Sequence, residues 1–233
     1  MKDLRLLLLL SSLVLPLGCA SVTLVVGGPG ALQANERLDF FGVDFSSCRF
    51  RDDYYFRVVD DLIQEKLPQW NTTVSAAFVD AATRSVPLTV NLQKSTELNA
   101  TLRQEALGRG AKDTDLVVVP PTENNTGGDA ASLAKRIAPY VDQVPGKGAV
   151  LLVDQVTKTE GVRAYLVVFD RTSGKVVFAS SADGMGDGYG YFGVQQFYLK
   201  PLCDIARRTA GSLRSAVVVD SPNVGVKPAT HAS

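Results

Sequence analysis

The stretch 149-AVLLVDQVTKTEGVRAYLVVFDRTSGKVVFASSA-182 holds three apolar, β-branched runs. The first two are separated by a polar connection containing Gly161, the last two only by Arg171-Thr172-Ser173-Gly174. Connections this short join antiparallel neighbours, so the stretch predicts a three-stranded meander late in the chain. Immediately beyond it, Leu202, Ile205, Ala206, Thr209 and Leu213 recur at helical spacing, and Pro201 sits where a first helical turn tolerates it. Immediately before it, Asp129 is placed to cap a helix from Ala130 to about Tyr140.

Further upstream, 120-PPTENNTGGD-129 is rich in turn formers, and 115-DLVVVP-120 reads as a buried central strand. The run 95-STELNATLRQEAL-107 predicts a helix with Leu98, Leu102 and Ala106 inward, ended by Gly108 and Gly110. Val86–Val90 and Thr73–Val79 are β-rich. The segment 52–69 places Tyr55, Val58, Val59, Leu62, Ile63 and Leu67 on one helical face. Leu38, Phe40, Val43 and Phe45 alternate as a first strand. The resulting order, β-α-β-β-α-β-α-β-β-β-α, predicts an α+β fold: a single mixed, largely antiparallel sheet packed with helices, ending in the meander and a C-terminal helix. There is no internal repeat.

The N-terminus, 1-MKDLRLLLLLSSLVLPLGCAS-21, opens with Lys2 and Arg5, runs apolar from Leu6 to Leu17 and ends in small residues around a cysteine. This is the pattern of a secretory signal, and its apolar run is shorter than the roughly 20 residues of a membrane span. Leu15-Pro16-Leu17-Gly18-Cys19 resembles the lipobox of bacterial lipoproteins, with Pro16 where that family carries an aliphatic residue. The resemblance implies a signal peptide over 1–18 and a diacylglycerol on Cys19. It also implies an outer-membrane destination, because Ala20 and not an aspartate follows. The competing reading is cleavage after Ala20, which discards the cysteine. Residues 19–35 then read as a flexible tether, 36–217 as the globular domain, and 218–233 as a disordered tail.

Of 233 residues, 24 are Lys or Arg and 24 are Asp or Glu, so no single-sign field draws in nucleic acid. The lone histidine, His231, lies in the tail, which removes most histidine-based chemistry. With Cys19 set aside, Cys48 and Cys203 form an even pair in an exported chain. They are expected to form a disulfide closing a loop of about 155 residues, worth up to roughly 4–5 kcal/mol.

Gly188-x-Gly190-x-x-Gly193 has the spacing of a dinucleotide fingerprint, but its strand belongs to the meander and no acidic residue stands about 20 positions on. Around it, Tyr189, Tyr191, Phe192, Phe197 and Tyr198 cluster. Phe192 and Phe197 suit the core, whereas Tyr189 and Tyr191 are candidate partner contacts. Asp183 and Asp187 lack the carboxylate ladder of a calcium loop. Ser132-Leu133-Ala134-Lys135 matches an S-x-x-K motif, but Lys158-Thr159-Glu160-Gly161 breaks the companion K-T-G. Asp60, Asp61 and Glu65 read as a solvated helix face. No residue set with cofactor or metal spacing is evident.

The segment Asp115–Ala182, above all Tyr165-Leu-Val-Val-Phe-Asp170-Arg-Thr-Ser-Gly174-Lys-Val-Val-Phe178, resembles the late hairpin of envelope lipoproteins related to the curli-secretion protein and to the amino-terminal domain of TolB. That resemblance implies a protein-binding or assembly role in the envelope and transfers no functional residue. The expectation is therefore a non-enzymatic lipoprotein, membrane-bound through its lipid, that binds an envelope protein or itself. The alternatives are an exported hydrolase using carboxylates or the Ser132/Lys135 pair, and a soluble secreted binding domain.

Overall fold

The computed structural model describes residues 22–51, 62–93, 128–157, 160–186 and 195–218. In chain order the strands are β1 (Val22–Val26), β2 (Leu32–Gln33), β3 (Arg37–Asp44), β4 (Arg49–Arg51), β5 (Thr89–Leu92), β6 (Lys147–Thr157), β7 (Gly161–Asp170), β8 (Val176–Gly184) and β9 (Val217–Val218). The helices are α1 (Leu67–Ser85), α2 (Ala130–Ile137) and α3 (Lys200–Ser212).

The meander forms as the short connections predict: β6, β7 and β8 pair antiparallel in sequence order. The seven-stranded sheet runs β1-β8-β7-β6-β3-β5, with β4 also on β6, while β2 and β9 make a separate parallel pair. β3 and β4 share one edge of β6: β3 lies along Lys147–Leu152 and β4 along Gln155–Thr157, both parallel to it. The fold is α+β with a mixed sheet, antiparallel through the meander and parallel on the flank that α1 connects from β3 to β5.

Both faces of the sheet are covered, which explains the nearly unbroken apolar character of β6 and β7. Ala149, Leu151 and Val153 point to one core with Leu166 and Val168, beneath α1 and α3. Val150 and Leu152 point to the other with Val167 and Phe169, beneath Leu133, Ile137 and Tyr140 of the α2 segment. In β3, Phe40 and Val43 reach the same core although three residues apart, because the register slips by a bulge between them. Phe40 stacks on Phe78 of α1 at 4.1 Å, both fully buried, a contact in which each ring contributes roughly 2–3 kcal/mol by burial.

Asp129 caps α2 as expected, accepting from the Ala131 and Ser132 amides. α3 begins with Pro201 in its first turn and buries Leu202, Ile205, Ala206 and Thr209. Three expectations are corrected. Thr73–Val79 is not a strand but the middle of α1, where Trp70, Val74, Phe78 and Ala82 recur every four residues and are all buried. That packing outweighs the β propensity of Thr72, Thr73 and Val74.

Residues 22–33 are not a flexible tether: β1 pairs with β8, and Leu32 is buried in the main core beside β9. The folded unit therefore starts at Val22 instead of residue 36. Cys48 and Cys203 are not bridged; each is a separate buried thiol. Cys48 follows a turn closed by its amide on the Phe45 carbonyl and sits among Asp154, Arg136 and Arg49, whereas Cys203 sits in α3 beside Arg207 and Asp204. Burial pushes both thiols above their ordinary range. The expected helix over 95–107, the strand at 115–120, residues 52–61 and the tail beyond 218 lie outside the described residues.

Candidate functional site

The sheet has two chemically distinct ends. At the hairpin end, the β7–β8 turn is tied by Asp170, which accepts from the Ser173 amide at 2.9 Å, the Ser173 hydroxyl at 3.0 Å and Lys147 Nζ at 3.1 Å. These bonds, the Ser173 amide foremost, hold its carboxyl down at about 2. The next residue, Arg171, is buried and bridges Asp39 of β3 and Asp142, with its guanidinium over the Phe41 ring at 5.4 Å. Asp39 also accepts from Arg37 Nε at 2.9 Å, Gln93 Nε2 at 3.1 Å and Asn91 Nδ2 at 3.3 Å. Burial alone would raise its carboxyl. The Arg37 and Asn91 bonds, with the Arg37 and Arg171 charges, bring it below the ordinary value.

A second charged group lies toward the other end of the sheet, level with Arg163 and Ala164 of β7, under α2. Arg136 is 2% exposed, donates to the Val153 carbonyl at 3.2 Å and stands 3.6 Å from Asp154. Asp154 is also held by Arg49 Nη2 at 3.0 Å, which reaches Gln155 Oε1 at 3.1 Å as well. Tyr140 donates to Asp44 at 3.0 Å. One donor on each arginine, Arg49 Nε and Arg136 Nη1, has no hydrogen-bond partner. Two guanidiniums facing Asp154 and Asp44 balance in charge, so the group pins β3, β4, α2 and β6 together and presents no net field to a ligand.

The N-terminal end is built differently. β1 begins at Val22, opposite Ala182 of β8, and β8 ends two residues later at Gly184, opposite Val162. At the start of β7, Gly161 has φ +80°, and a Cβ there would lie 2.3 Å from the Gly184 carbonyl and 2.8 Å from Met185 Sδ. Only glycine permits that approach, and it lets Met185 lie against the start of β7. Met185 is nevertheless 66% exposed. Beside it Arg163 pairs with Asp183 at 2.6 Å, and Arg208 of α3 donates to the Asp183 carbonyl at 2.8 Å.

Of the residues singled out by sequence, Cys19, Tyr189, Tyr191, Phe192, Asp187 and the glycines at 188, 190 and 193 lie outside the described residues, as do Asp60, Asp61 and Lys158. The strand preceding the glycine run is antiparallel to both its neighbours, which is not the β-α-β setting of a dinucleotide site. Asp183 is engaged with Arg163. Ser132 Oγ is bound to Asp129 Oδ2 at 2.6 Å within the helix cap, and Lys135 points outward as an exposed helix residue, so the two do not converge. Glu65 is exposed. Phe197 is half-buried and Tyr198 fully buried against Trp70, with ring centroids at 6.1 Å. Among the described residues, no group of His, Cys, Asp or Glu is arranged to hold a metal, and no helix is long and apolar enough to cross a membrane.

Sequence reasoning missed β1, Met185 and both charge networks. For β1 a signal was present, since 22-VTLVV-26 is almost wholly β-branched and ends at Gly27-Gly28. The pairs that tie the networks to β3 and β4 link residues more than 100 positions apart, Asp39 with Arg171 and Arg49 with Asp154, and leave no local trace.

No known family model matches the chain, and no curated protein sequence matches it. Among solved structures it is similar to a single-substitution variant of the PelC dodecamer from Paraburkholderia phytofirmans, with 9% identity, 84% of this chain and 99% of that chain covered, and a TM-score of 0.41. It is also similar to the PelC dodecamer of the same organism in a second crystal form, with 10% identity, coverage of 84% and 98%, and a TM-score of 0.37. Likeness at this distance assigns neither a family nor a function.

Proposed function

We propose that the chain is an exported envelope lipoprotein, anchored through Cys19, whose domain has a non-enzymatic role in binding an envelope protein or a second copy of itself. The observation that carries this reading is the N-terminal pattern: Lys2 and Arg5, the apolar run Leu6–Leu17, then Leu15-Pro16-Leu17-Gly18-Cys19 only three residues ahead of β1. A chain acylated there has its folded domain against the membrane. A binding role is favoured by the two outer strands of the main sheet, β1 and β5. Neither β1 (VTLVV) nor β5 (TVNL) carries the lysine, proline or inward charge that blunts an edge, and Leu24 and Leu92 are half exposed on them. An extended segment of a partner can add to such an edge through backbone hydrogen bonds.

The test is cross-linking in intact envelopes of the native host, followed by purification of the full chain. Recovery of a defined heteromeric or homomeric adduct, lost when Leu24→Lys places a charge on the β1 edge, supports the reading. A chain that remains monomeric and partner-free under conditions that capture known envelope complexes contradicts it.

A further inference from the structure

We propose that the N-terminal end of the sheet faces the lipid surface, with Met185 seated among the headgroups and the hairpin end directed away; this rests on the lipoprotein reading of Cys19. Two residues, Ala20 and Ser21, separate Cys19 from Val22, and the three residue steps span about 10–11 Å when fully extended. The start of β1 is thus held within that distance of the bilayer, and its partner Ala182 lies one strand spacing, about 5 Å, from it. Two residues beyond Ala182 the strand ends, and Met185 presents its thioether, 66% exposed, beside Gly161. It is the most exposed large apolar residue among those described, and it stands at the end nearest the anchor. An unbranched apolar side chain fits the disordered boundary between headgroups and acyl chains. Arg163 and Arg208, flanking Asp183, supply guanidiniums at the level where anionic headgroups lie.

The hairpin end has the opposite character. From Ala164, in register with Ala182, to Asp170 the strand runs about 20 Å further. There the turn is built of charged and polar groups, with Asp142 paired to Arg171 and Asp170 to Lys147. Anchor position and apolar exposure therefore agree on one orientation.

The experiment uses the full mature chain purified from its host membrane and reconstituted into phosphatidylethanolamine–phosphatidylglycerol vesicles containing doxyl-labelled lipid. Single variants Met185→Cys, Glu160→Cys and Thr172→Cys carry an environment-sensitive fluorophore, and the unsubstituted chain, whose Cys48 and Cys203 are buried, serves as the labelling blank. The orientation predicts several-fold stronger quenching at 185 and 160 than at 172. Glu160, beside Gly161, keeps the test valid if the substitution at 185 disturbs the fold. Equal quenching at all positions, or stronger quenching at 172, overturns the orientation while leaving the lipoprotein reading intact. An intact mass lacking acyl chains on Cys19 removes both.

Discussion

The hairpin end and the N-terminal end of the same sheet solve different problems. The hairpin end is closed by charge: Arg171 is buried between Asp39 and Asp142, and Asp170 gathers three donors around a four-residue turn. The N-terminal end is closed by proximity, with Gly161 letting the β8 terminus and Met185 lie against the start of β7. An interior ion pair is costly to break but ordinary to leave alone, so the first end reads as a lock. At the second end Met185 stands exposed, and on the proposed lipoprotein reading that end is the one set against the membrane.

The sharpest way to break this contrast is to remove the lock. Arg171→Met leaves Asp39, 4% exposed, with fewer partners and should cost about 3 kcal/mol in denaturant unfolding. A loss below about 1 kcal/mol would mean that Arg37, Asn91 and Gln93 suffice for Asp39. Next in size is Gly27→Ala. Gly27 ends β1 at φ +84°, and a Cβ there would meet the Val177 carbonyl at 2.3 Å. With β1 fixed in the sheet the substitution costs about 2 kcal/mol, whereas on a flexible tether it changes nothing.

Acid should then act on the hairpin end first. Asp170 has its carboxyl held at about 2 against an ordinary 3.8. Its stabilising share is therefore present above about pH 4 and lost as pH falls through 2. Asp39 and Asp142 are shifted in the same direction. The Ser173 amide resonance, which reports its bond to Asp170, should titrate near pH 2; a midpoint near 3.8 would show that the turn does not hold the carboxylate. The smallest effect is expected from Met185→Ser, which should change stability by no more than about 0.5 kcal/mol because the side chain is exposed. A substantially larger loss would make Met185 a packing residue and weaken its assignment to the surface.

What could be read from sequence was local. The meander, the Asp129 cap and α3 follow from short connections, a capping side chain and a repeated apolar face, each contained within a dozen or so residues. α1 was misread where Thr72-Thr73-Val74 favour a strand by propensity. The helix is selected instead by Trp70, Val74, Phe78 and Ala82 meeting partners in the main core, such as Phe40 and Tyr198, that only tertiary structure brings close. β1 was hidden by the glycines that follow it, and its partner β8 lies about 150 residues away in the chain.

The cysteines show the same limit, since an even count says nothing about whether two thiols come within bridging distance. Thiol titration should accordingly find Cys48 and Cys203 unreactive in the folded protein and both reactive once it is unfolded without reductant. A bridge would leave neither reactive in that state. For the candidate site, the anchor was legible as a motif. The surface beside it was not, because Met185 acquires meaning only from the strand that places it next to Val22's partner.

The account depends most on the state of the N-terminus, and the direct measurement is the intact mass of the mature protein from its native envelope. It predicts a chain that begins at Cys19 and carries the added mass of acyl groups. A chain beginning at Ser21, recovered from the medium without lipid, would contradict the anchored reading and leave Met185 an exposed residue with no membrane to meet.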